Sequence, residues 1–204
     1  KVPGTKTILP GDINEDNKVD ENDLTSYLNY NGLKKGDGEF DGYISKGDIN
    51  GNGMIDAYDI ANVAVKLEGG IEHLQTTTLS GSVNIKYNKL QYRSGDDIAI
   101  TVEGKNMSAV NSLGLVIPYD QRNLQFIKIE PVAVKDMKNM SYDRRHTDGS
   151  QVLYPTFTNL GEQPALNGSE ILFVIHFKAL HDLKIKGNHV HGMLVDRGLT
   201  ELDL

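Results

Sequence analysis

One stretch of twelve residues constrains this chain more than any other: Asp48-Ile49-Asn50-Gly51-Asn52-Gly53-Met54-Ile55-Asp56-Ala57-Tyr58-Asp59. Counted as a loop, it places oxygen-bearing side chains at positions 1 (Asp48), 3 (Asn50), 5 (Asn52), 9 (Asp56) and 12 (Asp59). Position 6 is Gly53, where the chain turns sharply, and position 7 is Met54, which offers its carbonyl. Ile55 at position 8 is an apolar anchor facing inward. Calcium is a hard cation that takes about six to eight oxygens, and alternate residues of a tight loop can aim at one centre. A polar Asn/Gly/Asp turn also forms without an ion, but turn chemistry alone does not require so many positions to agree.

A second copy lies upstream. Asp12, Asn14, Asp16, the Lys18 carbonyl, Asp20 and Asp23 occupy the same ligand positions. Both copies open with Gly-Asp-Ile-Asn, at Gly11 and at Gly47. Position 6 of the upstream loop is Asn17, which tolerates a left-handed backbone better than most residues. Position 12 is Asp in both loops, one methylene shorter than the Glu of a standard EF-hand, so the loop must draw in closer. Each loop runs into a helix. Asp20 is a natural N-cap for one at about 23–31, where Leu24 and Leu28 share a face. Ile60, Val63, Ala64 and Leu67 make one apolar stripe on the other, at about 57–67.

A duplicated loop-then-helix unit with no helix entering the first loop, and with Asp at position 12, resembles a dockerin over about residues 10–70. The resemblance implies two bound calcium ions and docking onto a cohesin-type module, within the chain or between chains. It also implies an extracellular, cell-surface or periplasmic setting on a secreted polysaccharide-degrading enzyme. In dockerins, positions 10 and 11 of each loop set partner choice. Here these are Glu21 and Asn22 in one half, Ala57 and Tyr58 in the other. The halves differ, which argues against two interchangeable binding orientations. Tyr58 is the stronger anchor candidate, although a Tyr also packs readily within its own domain.

Between the two copies, residues 37–48 fit the loop template a third time, with Asp37, Glu39 and Asp41 at positions 1, 3 and 5. No helix can follow, because Asp48 already opens the next loop. This is a third candidate calcium site, set against a Gly/Asp-rich connector that shapes the approach to Asp48.

Charge follows the same division. Residues 1–75 carry 7 basic and 14 acidic side chains, a net of −7, and the remaining 129 carry 14 of each. An acidic unit neutralised by calcium argues against nucleic acid as a partner. There is no cysteine, so disulfides and thiolate metal sites are excluded, and calcium can serve as the staple instead. No apolar run is long enough for a membrane span. The chain starts at Lys1 without Met and reads as a piece of a longer or processed protein, the C-terminal appendage of a glycoside hydrolase.

After residue 76 the apolar period changes from helical to alternating. Val83, Ile85 and Tyr87 alternate, as do Ile98, Ile100 and Val102. Further strand-like runs lie near 114–117, 124–129, 152–158, 170–180, 189–195 and 199–204. Eight or nine strands between polar turns predict an antiparallel β-sandwich or jelly roll. The expected fold is therefore two domains: a small all-α calcium-loop unit over 1–75 and an all-β sandwich over 76–204. Ser94-Gly95-Asp96-Asp97-Ile98, Tyr119-Asp120 with Asn123 to Pro131, and Ile171 to Ala179 together resemble a cohesin. The short link between the units raises the effective concentration of each at the other, so the two can pack within one chain.

Catalytic constellations are not evident. No Ser stands in a nucleophile elbow, and nothing in the sequence brings Glu162 and Glu170 together as a carboxylate pair. His189 and His191 share a strand face but have no third zinc ligand in view. His176 reads as a core or interface residue, and Tyr142 to His146 as a solvated charged loop. Tyr87, Tyr92, Tyr142 and Tyr154 are candidates for sugar stacking. The reading is a non-catalytic, calcium-dependent protein-docking pair, with a carbohydrate-binding tail as the alternative.

Overall fold

A computed structural model describes residues 9–40, 44–67, 77–187 and 190–204. Two helices, α1 (Glu21–Tyr30) and α2 (Ala57–Leu67), and a 3-10 turn at Ile44–Gly47 form the first unit. Asp20 caps α1 with extended backbone, and its side chain accepts from the Asn22 amide. Asp23 answers it from position N3 in a capping box, so α1 begins directly after the cap, two residues earlier than the apolar pattern suggested. α2 spans the range its stripe predicts.

The helices bury Ile13, Leu24, Tyr27, Leu33, Ile55 and Ile60 in one small core. The Gly-Asp-Ile-Asn openings have a steric reason. A Cβ on Gly47 would lie 2.6 Å from Ile13 Cδ1, and one on Gly11 would lie 3.1 Å from Val63 Cγ2. The Tyr27 hydroxyl donates to the Gly47 carbonyl at 2.9 Å, tying α1 to the start of the second loop.

The rest is an antiparallel β-sandwich. Its strands are β1 (Ser80–Tyr87), β2 (Gln91–Tyr92), β3 (Asp97–Val110), β4 (Ser112–Tyr119), β5 (Leu124–Pro131), β6 (Lys138–Asn139) and β7 (Tyr142–Arg145). They continue as β8 (Gln151–Tyr154), β9 (Thr156–Thr158), β10 (Leu166–Ala179), β11 (Leu183–Lys184), β12 (His191–Val195) and β13 (Glu201–Asp203). One sheet runs β1-β3-β10-β5. The facing sheet runs β13-β12-β4-β8-β7, with β9 and β6 continuing beside β4. β2 and β11 form a separate short pair. Ile98, Val102, Leu115, Phe157, Phe173 and Phe177 fill the space between sheets, where the Phe157 and Phe173 rings stand 5.2 Å apart. β3 alternates buried and less buried residues along most of its length, as a strand with one core face must.

Three expectations need correction. The described residues form thirteen strands and not eight or nine, since β2, β6 and β11 are only two residues long and leave no alternation to read. The run 152–158 is two strands, divided at Pro155, which has no N–H for the ladder. The charged run Tyr142 to His146 is not a solvated loop. Tyr142–Arg145 is strand β7, paired with β8, and it carries Arg144 and then His146 into buried positions.

Candidate functional site: two matched loops and a buried module interface

The two loops share the backbone-amide hydrogen bonds to their side chains at positions 1, 3, 5 and 12. The Asp12 carboxylate accepts from the Asp16 and Asn17 amides, at 3.0 and 2.9 Å. Asp48 accepts from Asn52 and Gly53, at 3.0 and 2.8 Å. At position 12, Asp23 accepts from Ile13 and Asp20, and Asp59 from Ile49 and Asp56. Position 6 is left-handed in both, with φ 69° at Asn17 and 90° at Gly53, so Asn does the work of Gly at one of them. Positions 3 and 5 match as well. Asn14 and Asn50 accept from the amides at position 5, while Asp16 and Asn52 accept from those of Lys18 and Met54.

The donor set suits a hard divalent cation: carboxylates, amide oxygens and a backbone carbonyl, with no soft ligand. Among the described residues, no three His, Cys, Asp or Glu side chains make a metal cluster by themselves. Each loop needs its Asn and carbonyl oxygens to complete a shell. Burial first, and then neighbouring carboxylates, raises the proton affinity of Asp56 and Asp59 above the ordinary Asp range. A cation set among them would relieve that crowding. The third candidate loop is placed differently. Asp37 Oδ2 accepts from the Lys34 amide and bonds His146 Nδ1, and its Oδ1 accepts from the Thr147 amide. Burial pushes the Asp37 carboxyl up, but those hydrogen bonds outweigh it and hold the group below its ordinary value. Glu39 is exposed, and Asp41 lies outside the described residues.

The first unit sits on the β13-β12-β4-β8-β7 sheet. The N-terminal turn of α2 meets bare strand: Ala57 and Ala61 pack with Met193 and Val195. Gly114 makes this approach possible, since a Cβ there would lie 2.8 Å from Ala57 Cβ. Met140 of the sandwich is fully buried in the core of the helical unit. Around this apolar contact runs a set of buried polar bonds. Asn31 Nδ2 donates to the Met140 carbonyl at 2.7 Å and to Thr156 Oγ1 at 2.9 Å. The Arg144 guanidinium donates to the Asn31 and Asn29 carbonyls, near the C-terminal end of α1, whose last turn has no basic residue of its own. Burial pulls Arg144 below its ordinary pKa, opposed by the charges of Tyr142, Glu39 and Asp37. His146 bridges Asp37 at 2.7 Å and the Tyr154 hydroxyl at 2.8 Å.

Sequence reasoning missed Arg144 and His146. The available signal was the alternation of Tyr142, Arg144 and His146, three long side chains of one strand face, which charge content obscured. Tyr154 and Tyr92 are buried, which takes them out of reach of a sugar, while Tyr87 and Tyr142 are half-buried. Arg144 itself stacks on the Tyr142 ring, 4.5 Å from its centroid. His176 is partly exposed and lies 3.3 Å from Glu130. His189 lies outside the described residues, and Glu162 and Glu170 are exposed. Of the partner-choice positions, Glu21 and Asn22 face solvent, Ala57 is closed off and Tyr58 is half-buried.

Two matched oxygen-lined loops, each running into a helix, thus sit against one sheet of a β-sandwich. Residues 10–68 match the family model described as dockerin type I domain, and that part of the chain is a dockerin type I domain. No curated protein matches the chain. The sandwich is similar to solved cohesins. A type II cohesin from the cellulosome of Acetivibrio cellulolyticus is 12% identical, with a TM-score of 0.46, covering 60% of this chain and 88% of that one. Type II cohesin A11 from Bacteroides cellulosolvens is 13% identical, with a TM-score of 0.46 and coverage of 60% and 91%. A chain of a type I cohesin–dockerin complex from Clostridium thermocellum is 17% identical, with a TM-score of 0.40 and coverage of 59% and 91%.

Proposed function

We propose that this chain is a calcium-dependent docking unit in which a dockerin, up to about residue 75, and a cohesin-like sandwich after it are engaged with each other. The observation that carries the reading is the buried polar set at their junction. Asn31, Arg144 and His146 leave solvent only because each finds partners across the boundary, and buried polar groups that interlock in this way specify one geometry. The dockerin family match supports calcium as the resident ion. Asp12, Asn14, Asp16, Lys18, Asp20 and Asp23 would hold one ion, and Asp48, Asn50, Asn52, Met54, Asp56 and Asp59 a second. A bound ion would neutralise the loop carboxylates and so let the small helical core close. The chain's own residues orient those oxygens through the amide hydrogen bonds at positions 1 and 12.

On this reading the segment is non-catalytic and works outside the cell, as an appendage of a polysaccharide-degrading enzyme. Among the described residues no helix is long and apolar enough to cross a membrane. The test is a pull-down of residues 1–75 by residues 76–204 as separate polypeptides, in calcium and in chelator. Capture in calcium alone supports the proposal. Equal capture in chelator would remove the calcium dependence, and no capture in either would remove the docking.

A further inference from the structure

The two loops also differ at position 5, with a consequence the duplication hides. The upstream loop has four carboxylates at its ligand positions, Asp12, Asp16, Asp20 and Asp23. The downstream loop has three, Asp48, Asp56 and Asp59, because Asn52 stands where Asp16 stands in the first copy. That exchange has a geometric consequence at position 3. Asn14 turns its amide nitrogen to Asp16 Oδ2 within its own loop, at 3.3 Å. Asn50 has no such acceptor at position 5. Its Nδ2 donates instead to Glu201 Oε2 of the sandwich, at 3.0 Å. Asn52 in turn directs its amide nitrogen to Asp56 Oδ2, at 2.7 Å.

Glu201 thus does two things for the downstream loop from outside it. It fixes the flip of the Asn50 amide, so that Oδ1 faces into the loop, where it already accepts from the Asn52 amide at 3.2 Å. It also restores the fourth negative charge. The backbone that carries Glu201 is held in place, since β13 pairs with β12, which packs against α2, while the side chain itself is exposed. A cleft of about 260 Å³ separates loop and sheet here, with Asn52, Met54 and Asp56 on one side and Val116, Gly192 and Met193 on the other.

We propose that Glu201 is a positioning residue for the second calcium loop, supplied by the sandwich, so that the ion in this loop binds more tightly when the two modules are docked, while the ion in the first loop does not sense docking. The inference rests on the calcium reading above. Ion affinity in such loops follows ligand charge count and rigidity, and a partner that orients a ligand from outside the shell typically contributes tenfold or more. Coupling of this kind is reciprocal: the second ion strengthens docking by the factor by which docking strengthens its binding.

The test is calorimetric calcium titration of the full chain. Wild type should show two ions. Glu201→Gln keeps the shape and removes the charge, and one of the two affinities should fall on the order of tenfold, the charge effect expected close to a dication, with the other unchanged. Arg144→Ala, which loosens the junction without touching Asn50 or Glu201, should weaken the same ion, and adding Glu201→Gln to it should cost less than in the wild type. Two ions with E201Q titrating as wild type would overturn this inference alone, as would an equal fall at both ions. No calcium in the wild type would overturn the calcium reading and the inference with it.

Discussion

Gly114 offers a perturbation aimed at the junction and at little else. It lies in β4, where its φ is not in the left-handed region, so Ala or Val meets no backbone strain. A new Cβ would stand 2.8 Å from Ala57 Cβ and 3.4 Å from Thr156 Oγ1, against an ordinary contact of 3.4–4 Å. α2 must therefore withdraw by about half an ångström or more, from a surface where Ala57 and Ala61 are fully buried. Overpacking of this kind costs about 1–3 kcal/mol, a factor of about 5 to 150 in the docking equilibrium. Gly114→Val, with two further methyls facing the helix, should exceed Gly114→Ala. The readouts are small-angle scattering and amide exchange. A compact chain of this length has a radius of gyration near ~17 Å, which should rise by several ångström on undocking. The Thr147 amide, which donates to Asp37 Oδ1 across the junction, should lose protection. Unchanged compactness and protection in Gly114→Val, with an intact sandwich, would refute the account of this glycine. Global unfolding of the sandwich would refute the claim that the perturbation is local.

Other outcomes follow from the same contacts. Chelator should abolish the far-UV helical signal of α1 and α2 and leave the β spectrum; equal spectra with and without chelator would count against the ion as a staple. Arg144→Ala removes two charge-assisted hydrogen bonds to Asn29 and Asn31 and strands their carbonyls, at about 1.5–3 kcal/mol, which should appear as lost protection at Thr147 with no change in the sandwich melt. Phe173→Ala empties a fully buried site against Phe157, costing about 3–5 kcal/mol and lowering the melting temperature of the sandwich on the order of 10 °C, whereas calcium binding by the loops should persist.

The loops were readable from the sequence because their side-chain oxygens cap amides of the same turn at fixed offsets. Oxygen donors must recur at alternate positions around a turn, and Asp12 to Asp23 and Asp48 to Asp59 obey that rule without help from the rest of the chain. α2 was readable for a similar reason, since Ile60, Val63, Ala64 and Leu67 repeat at the helical period. The strands were readable where one face was apolar, as in β3. β7 was not, because its inward side chains are Arg144 and the following His146, and a buried charge is recognised only through its partner. Those partners, Asn29, Asn31 and Asp37, lie more than a hundred residues away. Glu201 was hidden in the same way. Tyr154 was misjudged as a surface ring because its burial depends on distant Gly32, whose missing Cβ leaves room for the ring.

The burial of Ala57 beside the exposure of Glu21 and Asn22 has a consequence for stoichiometry. A duplicated module has two related ends, and this chain closes one of them on itself. On the docking reading, this unit has one end left for a further partner, so it should bind a matching receptor one-to-one and not through two orientations at once.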